Sequence, residues 1–316
     1  MKIRHTIFTP VYNRANKLLE CYEHIKQLDY PRKDFEWLII DDGSTDELRK
    51  TLNLISKENL IQVRVIHQEK NRGIQAAQNT AMINAKGEFI TRIDSDDYLL
   101  PNALKIKDHY WNLIPDNQKQ HFVGVVGIVL HANNTLSPMK NRSSLFGQEI
   151  TDTTGIEAQK KYHATGDRNF CMRTEIMRQY LLPEFEDTNW VPEGFMWRMI
   201  DEKYLTRFID VPVSVASSNE ADSVTNVQNK KMSKKLAMSC AYGHLLFLNH
   251  CSHTLTWIEK RKRIAFFVSY AKAAKKENGS FHKIVRLLAS RYNRFLAYLY
   301  CPIIFLLTLK LKKRIQ

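Results

Sequence analysis

The sequence predicts an α/β domain on a mostly parallel sheet, followed by a basic helical extension, and three features predict it. Strand-like and helix-like segments alternate through the N-terminal part, as in consecutive βα units. Two of the strand-like segments end in acidic clusters, Asp41-Asp42 and Asp94-Ser95-Asp96-Asp97. Charge then divides the chain: beyond residue 225 there are 19 Lys and Arg against only Glu259 and Glu277, a net of +17, whereas the first 225 residues hold 28 basic and 31 acidic groups. The expected division is therefore a domain over 1–225 and a basic, mostly helical extension over 226–316.

Each element has its own signal. Ile3 to Thr9 is β-prone, and Leu18, Tyr22, Ile25 and Leu28 then recur at helical spacing. Phe35 to Ile40 is apolar apart from Glu36, as expected of a strand buried on both faces. A helix from about Asp46 to Lys57 and a strand from Ile61 to Ile66 follow. Gly73 to Ala85 is Ala-rich, with Ile74, Ala77, Ala81 and Ala85 on one face and Gly87 expected as its C-cap. Phe89 to Ile93 is the next strand and runs into the second acidic cluster. A helix after Pro101 to about Ile114 and a strand over Phe122 to Leu130 complete the series. Residues 133–160 are expected to be loop-rich, and 194–203 helical. Beyond Thr225 helices are expected over Lys234 to Asn249, Ile258 to Lys276 and Phe281 to Tyr300.

Composition narrows the class. With 316 residues, 44% hydrophobic and 25% charged, the chain has the make-up of a folded globular protein and not of a disordered one. Its five cysteines are far apart and form no C-x-x-C pair, which argues against a disulfide framework or structural zinc and fits a reducing cytoplasm. The opening MKIRHTIFTPVYNR does not read as a secretory signal. The overall charge of +14 raises the possibility of nucleic-acid binding, but the excess sits on the tail and no nucleic-acid motif accompanies it, so no nucleic-acid partner is expected.

The segment from Phe295 to Leu309 is almost wholly apolar, preceded by Arg291 and Arg294 and followed by Lys310, Lys312, Lys313 and Arg314. It is shorter than the roughly 20 apolar residues of a spanning helix, and Pro302 interrupts it. The expectation is a helix lying in the inner leaflet of the cytoplasmic membrane, making the chain peripheral on its cytoplasmic face. The plainer reading is an apolar helix docked on the first domain.

Three carboxylates within four residues repel one another unless a cation or hydrogen-bond donors share the site. Hard oxygen ligands suit Mg2+ or Mn2+, ions that commonly share their coordination with substrate phosphates. The Asp41 to Asp46 stretch is also a turn and helix start, with Ser44 or Thr45 capping and Asp46 favoured by the helix dipole. That accounts for Ser44 to Asp46 but not for paired aspartates at the end of a buried strand.

Four motifs in order, Pro10-Val11-Tyr12-Asn13-Arg14, the DDGSTD of Asp41 to Asp46, Asn71, Gly73, Ala77 and Asn79, and the D-x-D-D of Asp94 to Asp97, give the chain its likeness. Over roughly residues 1–220 it resembles the family 2 glycosyltransferases of the GT-A fold, inverting enzymes that use nucleotide-sugar donors. The resemblance implies that Pro10, Tyr12, Arg14, Asp41 and Asp42 bind the nucleotide sugar. Asn71, Arg72 and Gly73 would line the same pocket, with Arg72 alternatively facing the pyrophosphate. Asp96 and Asp97 would handle donor and metal, either one being the principal ligand, with Asp94 supporting them; Arg92 reads as a structural partner. The implied cofactor is Mn2+ or Mg2+.

Inversion by direct displacement needs a carboxylate to take the acceptor hydroxyl's proton. The candidate is Glu193, in Trp190-Val191-Pro192-Glu193-Gly194, where many relatives have an E-D pair; Glu186 and Asp187 are rivals, and a helix-start role for Glu193 is the plain alternative. Trp190 and Trp197 are read as core residues, and the eleven histidines show no metal-ligand spacing. The expected reaction is transfer from a nucleoside-diphosphate sugar, UDP foremost, to a glycan or lipid-linked acceptor in bacterial surface polysaccharide synthesis. A sugar-nucleotidyltransferase is the alternative, but TPVYNR lacks a phosphate-loop glycine; a Rossmann dehydrogenase is excluded because no G-x-G-x-x-G follows a strand.

Overall fold

The computed structural model describes residues 3–131, 149–162, 167–216, 233–274 and 280–301. The chain forms two compact units, one of residues 1–182 with 200–218 and the other of 183–199 with 219–316. The segment 183–199 thus groups with the C-terminal helices.

The first unit is an α/β sandwich on a mixed, mostly parallel sheet. Its strands are β1 (His5–Val11), β2 (Phe35–Asp41), β3 (Val63–His67), β4 (Phe89–Arg92), β5 (Tyr98–Leu99), β6 (Phe122–His131), β7 (Ile150–Thr153), β8 (Arg168–Arg173) and β9 (Leu205–Ala216). The sheet order is β3-β2-β1-β4-β8-β6-β9-β5, with β7 also pairing with β9. Strands β3, β2, β1 and β4 run parallel, and β8 enters antiparallel between β4 and β6.

Packing explains the apolar strands. Every residue of β2 is buried, because helices cover both faces of the sheet there. On one face Ile7, Phe35, Trp37 and Ile39 join Leu18, Tyr22 and Ile25 of α1 (Ala15–Lys26) and Ile55 of α2 (Leu48–Glu58). Tyr22 stacks on Trp37 with ring centroids 5.8 Å apart, and the Trp37 indole N–H donates to Thr9 Oγ1. Burying side chains of this size stabilises the fold by about 1.5–3 kcal/mol each. The alternate residues Phe8, Leu38 and Ile40 are left for the other face, where α3 (Ile74–Asn84) lies against β1 and β2 through its buried Ala76, Ala77 and Ala81. Small side chains let that helix approach the sheet closely. Helix α4 (Ala103–Asn112) follows Pro101, as its sequence predicts.

Several expectations are corrected. Gly87 is not the C-cap of α3, since the helix ends at Asn84 with Ala85 as its cap residue. Its lack of a side chain serves packing instead: a Cβ there would stand 2.3 Å from the Thr6 nitrogen of β1. Residues 150–160, read as loop, form β7 and the helix Gly155–Lys160, while 132–148 lie outside the described residues. The expected helix over Phe281 to Tyr300 is two helices, Ser280–Arg286 and 291–301. They part because Ala289 N–H donates to the Asn249 side chain and Ser290 Oγ accepts from Asn293 N–H, capping the second helix.

Within the second unit, Lys234–His250 packs along Trp257–Ala274, and Ser233 caps the first of these. No helix among the described residues is long and apolar enough to cross a membrane. Of the apolar segment 295–309, only residues 295–301 are described.

Candidate functional site

Sheet order locates the first unit's crevice. From β1 the chain winds outward through β2 and β3, then crosses back to place β4 on the other side of β1. The C-terminal ends of β1 and β4 therefore flank a topological switch point, where open α/β sheets bind ligands. Loops 12–14 and 94–97 leave those two strand ends, and the 41–46 turn leaves β2 beside them.

Three of the motifs are knitted together by hydrogen bonds. Asn13 has a left-handed backbone (φ 52°). Its N–H donates to Ser44 Oγ at 3.0 Å, and its Oδ1 accepts from Thr45 N–H at 2.7 Å. The Asp46 carboxylate accepts from Ala15 N–H at 2.9 Å and so caps α1 from the neighbouring loop, Arg14 giving that helix no side-chain cap. Pro10 pairs with Ile40 in the ladder, and the Tyr12 ring beyond it stands 45% exposed at the rim.

Asp41 and Asp42 divide their work. Asp41 accepts from Ser44 N–H at 2.8 Å and lies 2.9 Å from Nδ1 of His67, which parallel register places opposite it on β3. Asp42 is 4% exposed, and each of its carboxylate oxygens accepts one backbone N–H, from Arg72 and from Gly73, both at 2.8 Å. Burial pushes the Asp42 pKa up, against the pull of those two N–H groups. Its carboxylate thus shapes the 71–73 loop that begins α3. Gly73, at φ 92°, makes the turn, and Gly43, at φ 73°, lies so close to Lys70 and Asn71 that a Cβ would meet the Lys70 carbonyl carbon at 2.6 Å. Asn79 instead ties down the chain at Leu182, donating to its carbonyl at 2.7 Å and accepting its N–H at 2.8 Å.

In the acidic turn after β4 each charge has a different neighbour. Arg92 donates to both Asp94 oxygens, at 2.7 and 2.9 Å. Asp96 accepts from Arg14 at 3.0 Å, across the switch point. Asp97 N–H closes the turn on the Asp94 carbonyl at 3.0 Å. Among the described residues no three His, Cys, Asp or Glu side chains converge into a ready-made metal cage. Mg2+ and Mn2+ need no such cage, since they bind through one or two carboxylates plus substrate phosphates and water. The donor set of Asp96 and Asp97 is hard oxygen, and the cation now beside Asp96 is a part-buried side-chain guanidinium, so these residues fit a divalent ion.

The structure therefore brings Arg14, Asp41, Asp42, Arg72, Gly73 and Asp96 into one hydrogen-bonded set of loops, with Pro10, Tyr12, Asn71, Asp94 and Asp97 on the same loops. Glu193 belongs to the second unit. There it directly precedes the helix Gly194–Asp201, and its carbonyl accepts from Met196 N–H at 2.8 Å. Sequence reasoning passed over Asn13 and His67, and it read Ser44 or Thr45 as the cap of α2, whereas α2 begins at Leu48 with Glu47 as its N-cap and Ser44 accepts from Asn13 instead. Asn13 stood in plain view inside a motif, whereas nothing in the sequence marks His67.

Loops bearing aspartates and an arginine at the switch point of an open α/β sheet define the candidate ligand site of this domain. Residues 6–181, more than half the chain, match the glycosyl transferase family 2, and the chain belongs to that family. It is 37% identical over 100 residues to glycosyltransferase GlyG of Streptococcus pneumoniae, covering 32% of each chain. It is 36% identical over 127 residues to the poly(ribitol-phosphate) beta-glucosyltransferase of Bacillus spizizenii, covering 39% of this chain and 19% of that one. The matched stretch thus spans a third or less of these relatives. In fold, the chain is similar to Staphylococcus aureus TarS 1–349 in complex with UDP-GlcNAc, with a TM-score of 0.61, 18% identity, and coverage of 93% and 88% of the two chains. A mannosyltransferase from Pyrobaculum calidifontis in complex with GDP-Man and Mn2+ is similar at a TM-score of 0.50 and 14% identity, over 96% of this chain and 81% of that one.

Proposed function

We propose that the protein is an inverting glycosyltransferase that moves a sugar from a nucleoside-diphosphate sugar, UDP foremost, to a hydroxyl of a glycan or lipid-linked acceptor in bacterial surface polysaccharide synthesis. The observation that carries this reading is the Arg14–Asp96 pair across the switch point, beside the loop that Asp42 holds. Family membership and the likeness to a TarS complex with UDP-GlcNAc support a nucleotide-sugar donor. Relatives named for poly(ribitol-phosphate) transfer and for chondroitin synthesis support a polymeric acceptor.

In this mechanism the Asp42-held loop with Arg72 and Gly73, and the exposed Tyr12, receive the nucleoside. Arg14 would turn from Asp96 to face the diphosphate, and Asp96 and Asp97 would hold Mn2+ or Mg2+. The ion, when bound, stabilises the negative charge that grows on the leaving diphosphate. Glu193 takes the proton of the acceptor hydroxyl as that oxygen bonds to the anomeric carbon. The bond from that carbon to the diphosphate oxygen breaks with its electron pair, giving an inverted glycoside and a free nucleoside diphosphate.

The test is release of nucleoside diphosphate from a panel of nucleotide sugars, with Mn2+ or Mg2+ and with glycan or polyol-phosphate acceptors. Acceptor-stimulated release from one donor is expected. Release from none, by protein that binds the nucleotide, would refute transfer.

A further inference from the structure

The second unit carries an apolar face that the catalytic reading does not use. Within the helix over 291–301, Tyr292 and Phe295 are 60% and 61% exposed, and Leu299 is 49% exposed. With the exposed Tyr298 they lie at spacings that put them on one side of a helix. On the opposite side Asn293, Leu296 and Ala297 are buried. A helix at a protein surface is normally polar on its outer side. This one is apolar inside and aromatic outside.

The segment that carries this face is basic. His282 Nδ1 lies 3.0 Å from the Tyr298 hydroxyl, which joins the helix Ser280–Arg286 to the patch. Lys283 and Arg286 of that helix, and Arg291 beside Tyr292, are exposed. Residues 280–301 contain no Asp or Glu, and the chain beyond 225 carries a net of +17. A second copy of this face would set like charges against Lys283, Arg286 and Arg291. An anionic headgroup layer would complement it, and Tyr and Phe rings settle at the level where headgroups meet acyl chains.

We infer that the outward face of the 291–301 helix, with Lys283 and Arg286 alongside, is a docking surface for an anionic lipid bilayer. Tyr292, Phe295 and Leu299 enter the interface and the basic side chains pair with headgroup phosphates. Binding is then peripheral, salt-sensitive and selective for anionic lipid. The inference stands independently of the donor, the acceptor and the chemistry proposed above.

The experiment is co-sedimentation of the purified full-length protein with vesicles of phosphatidylcholine alone or mixed with phosphatidylglycerol. Binding to the mixed vesicles should be at least about tenfold stronger and should weaken with added salt. Two variants, Tyr292→Ser with Phe295→Ser and Leu299→Ser, and Lys283→Glu with Arg286→Glu and Arg291→Glu, should each lower that binding about tenfold or more. Both should keep the circular dichroism, melting temperature and nucleotide affinity of the wild type. Equal binding to both vesicle types, no binding, or variants that bind like the wild type would overturn the inference. So would sedimentation velocity showing a dimer that Phe295→Ser dissolves while vesicle binding stays unchanged. Loss of nucleotide binding in the wild type would count against the transferase reading alone.

Discussion

Arg14 and Asp96 stand 82 residues apart in the chain and meet at 3.0 Å across the C-terminal ends of β1 and β4. The pair places a cation and a carboxylate where the winding reverses between β1 and β4. In the proposed mechanism the donor diphosphate would find its partner there in Arg14 and the divalent ion in Asp96. The two partners neutralise each other when neither ligand is bound.

Competition of this kind predicts opposite effects of one substitution. Arg14→Ala removes the cation that competes for Asp96, so the affinity for Mn2+ alone should rise by up to about tenfold, while affinity for the nucleoside diphosphate should fall. Separate titrations of metal and nucleotide measure both. A parallel fall in the two affinities would mean that Arg14 only supports the loop.

Gly43→Ala should cost about 1–3 kcal/mol of stability and weaken nucleotide binding. The new methyl would press on backbone at Lys70 and Asn71, which cannot rotate away as a side chain would, and φ stays at 73°. Thermal unfolding and nucleotide titration read the two effects. An unchanged melting temperature would show that the two loops move apart freely.

Acid stability should depend on Asp108, far from the proposed chemistry. Burial opposes its ionisation, but hydrogen bonds from His5 and Tyr30, with the charges of His5 and Arg4, outweigh that and bring its pKa down to about 2. Because the folded value is depressed, the stabilisation is present above the unfolded value of 3.8 and is lost as pH falls toward 2. It amounts to about 2 kcal/mol. His5 is shifted the opposite way: burial lowers its pKa, but the bonds to Asp108 and Cys171 prevail and raise it, so its share is complete below 6.5 and fades as pH rises past the folded value. Denaturant unfolding of the wild type and Asp108→Asn between pH 2 and 6 should show curves that differ most near pH 6 and converge at the acid end. Parallel curves would contradict the pairing.

Glu193→Gln should leave nucleotide-sugar binding near the wild-type value and lower transfer by about a hundredfold or more. Retained transfer would assign the base to another carboxylate, with Glu186 and Asp187 the first to replace.

Much of the fold was legible where a single strand's composition carries its environment. The continuous apolar run from Trp37 to Ile40 read as a strand buried on both faces, and the Ala-rich run from Gly73 to Ala85 marked α3. Strands β5, β8 and β9 were not legible. Tyr98–Leu99 is two residues long, β8 reads Arg-Asn-Phe-Cys-Met-Arg, and β9 contains Pro212 and charged residues. Their neighbours in the sheet, and not their own propensity, make them strands. The acidic clusters of the candidate site were visible because repulsion makes such runs unusual. His67 was not, because it reaches Asp41 only through the parallel register of β2 and β3, which no local pattern encodes.

The central claim, a metal-assisted nucleotide-sugar site at the β1–β4 switch point, is tested most directly by calorimetric titration. Purified protein would be titrated with UDP and a panel of other nucleoside diphosphates, each with and without Mn2+. The expected result is binding of one nucleotide that strengthens with Mn2+, loses that metal dependence in Asp97→Ala, and weakens in Asp42→Ala. Absence of binding by any nucleotide, or binding indifferent to both substitutions, would contradict it.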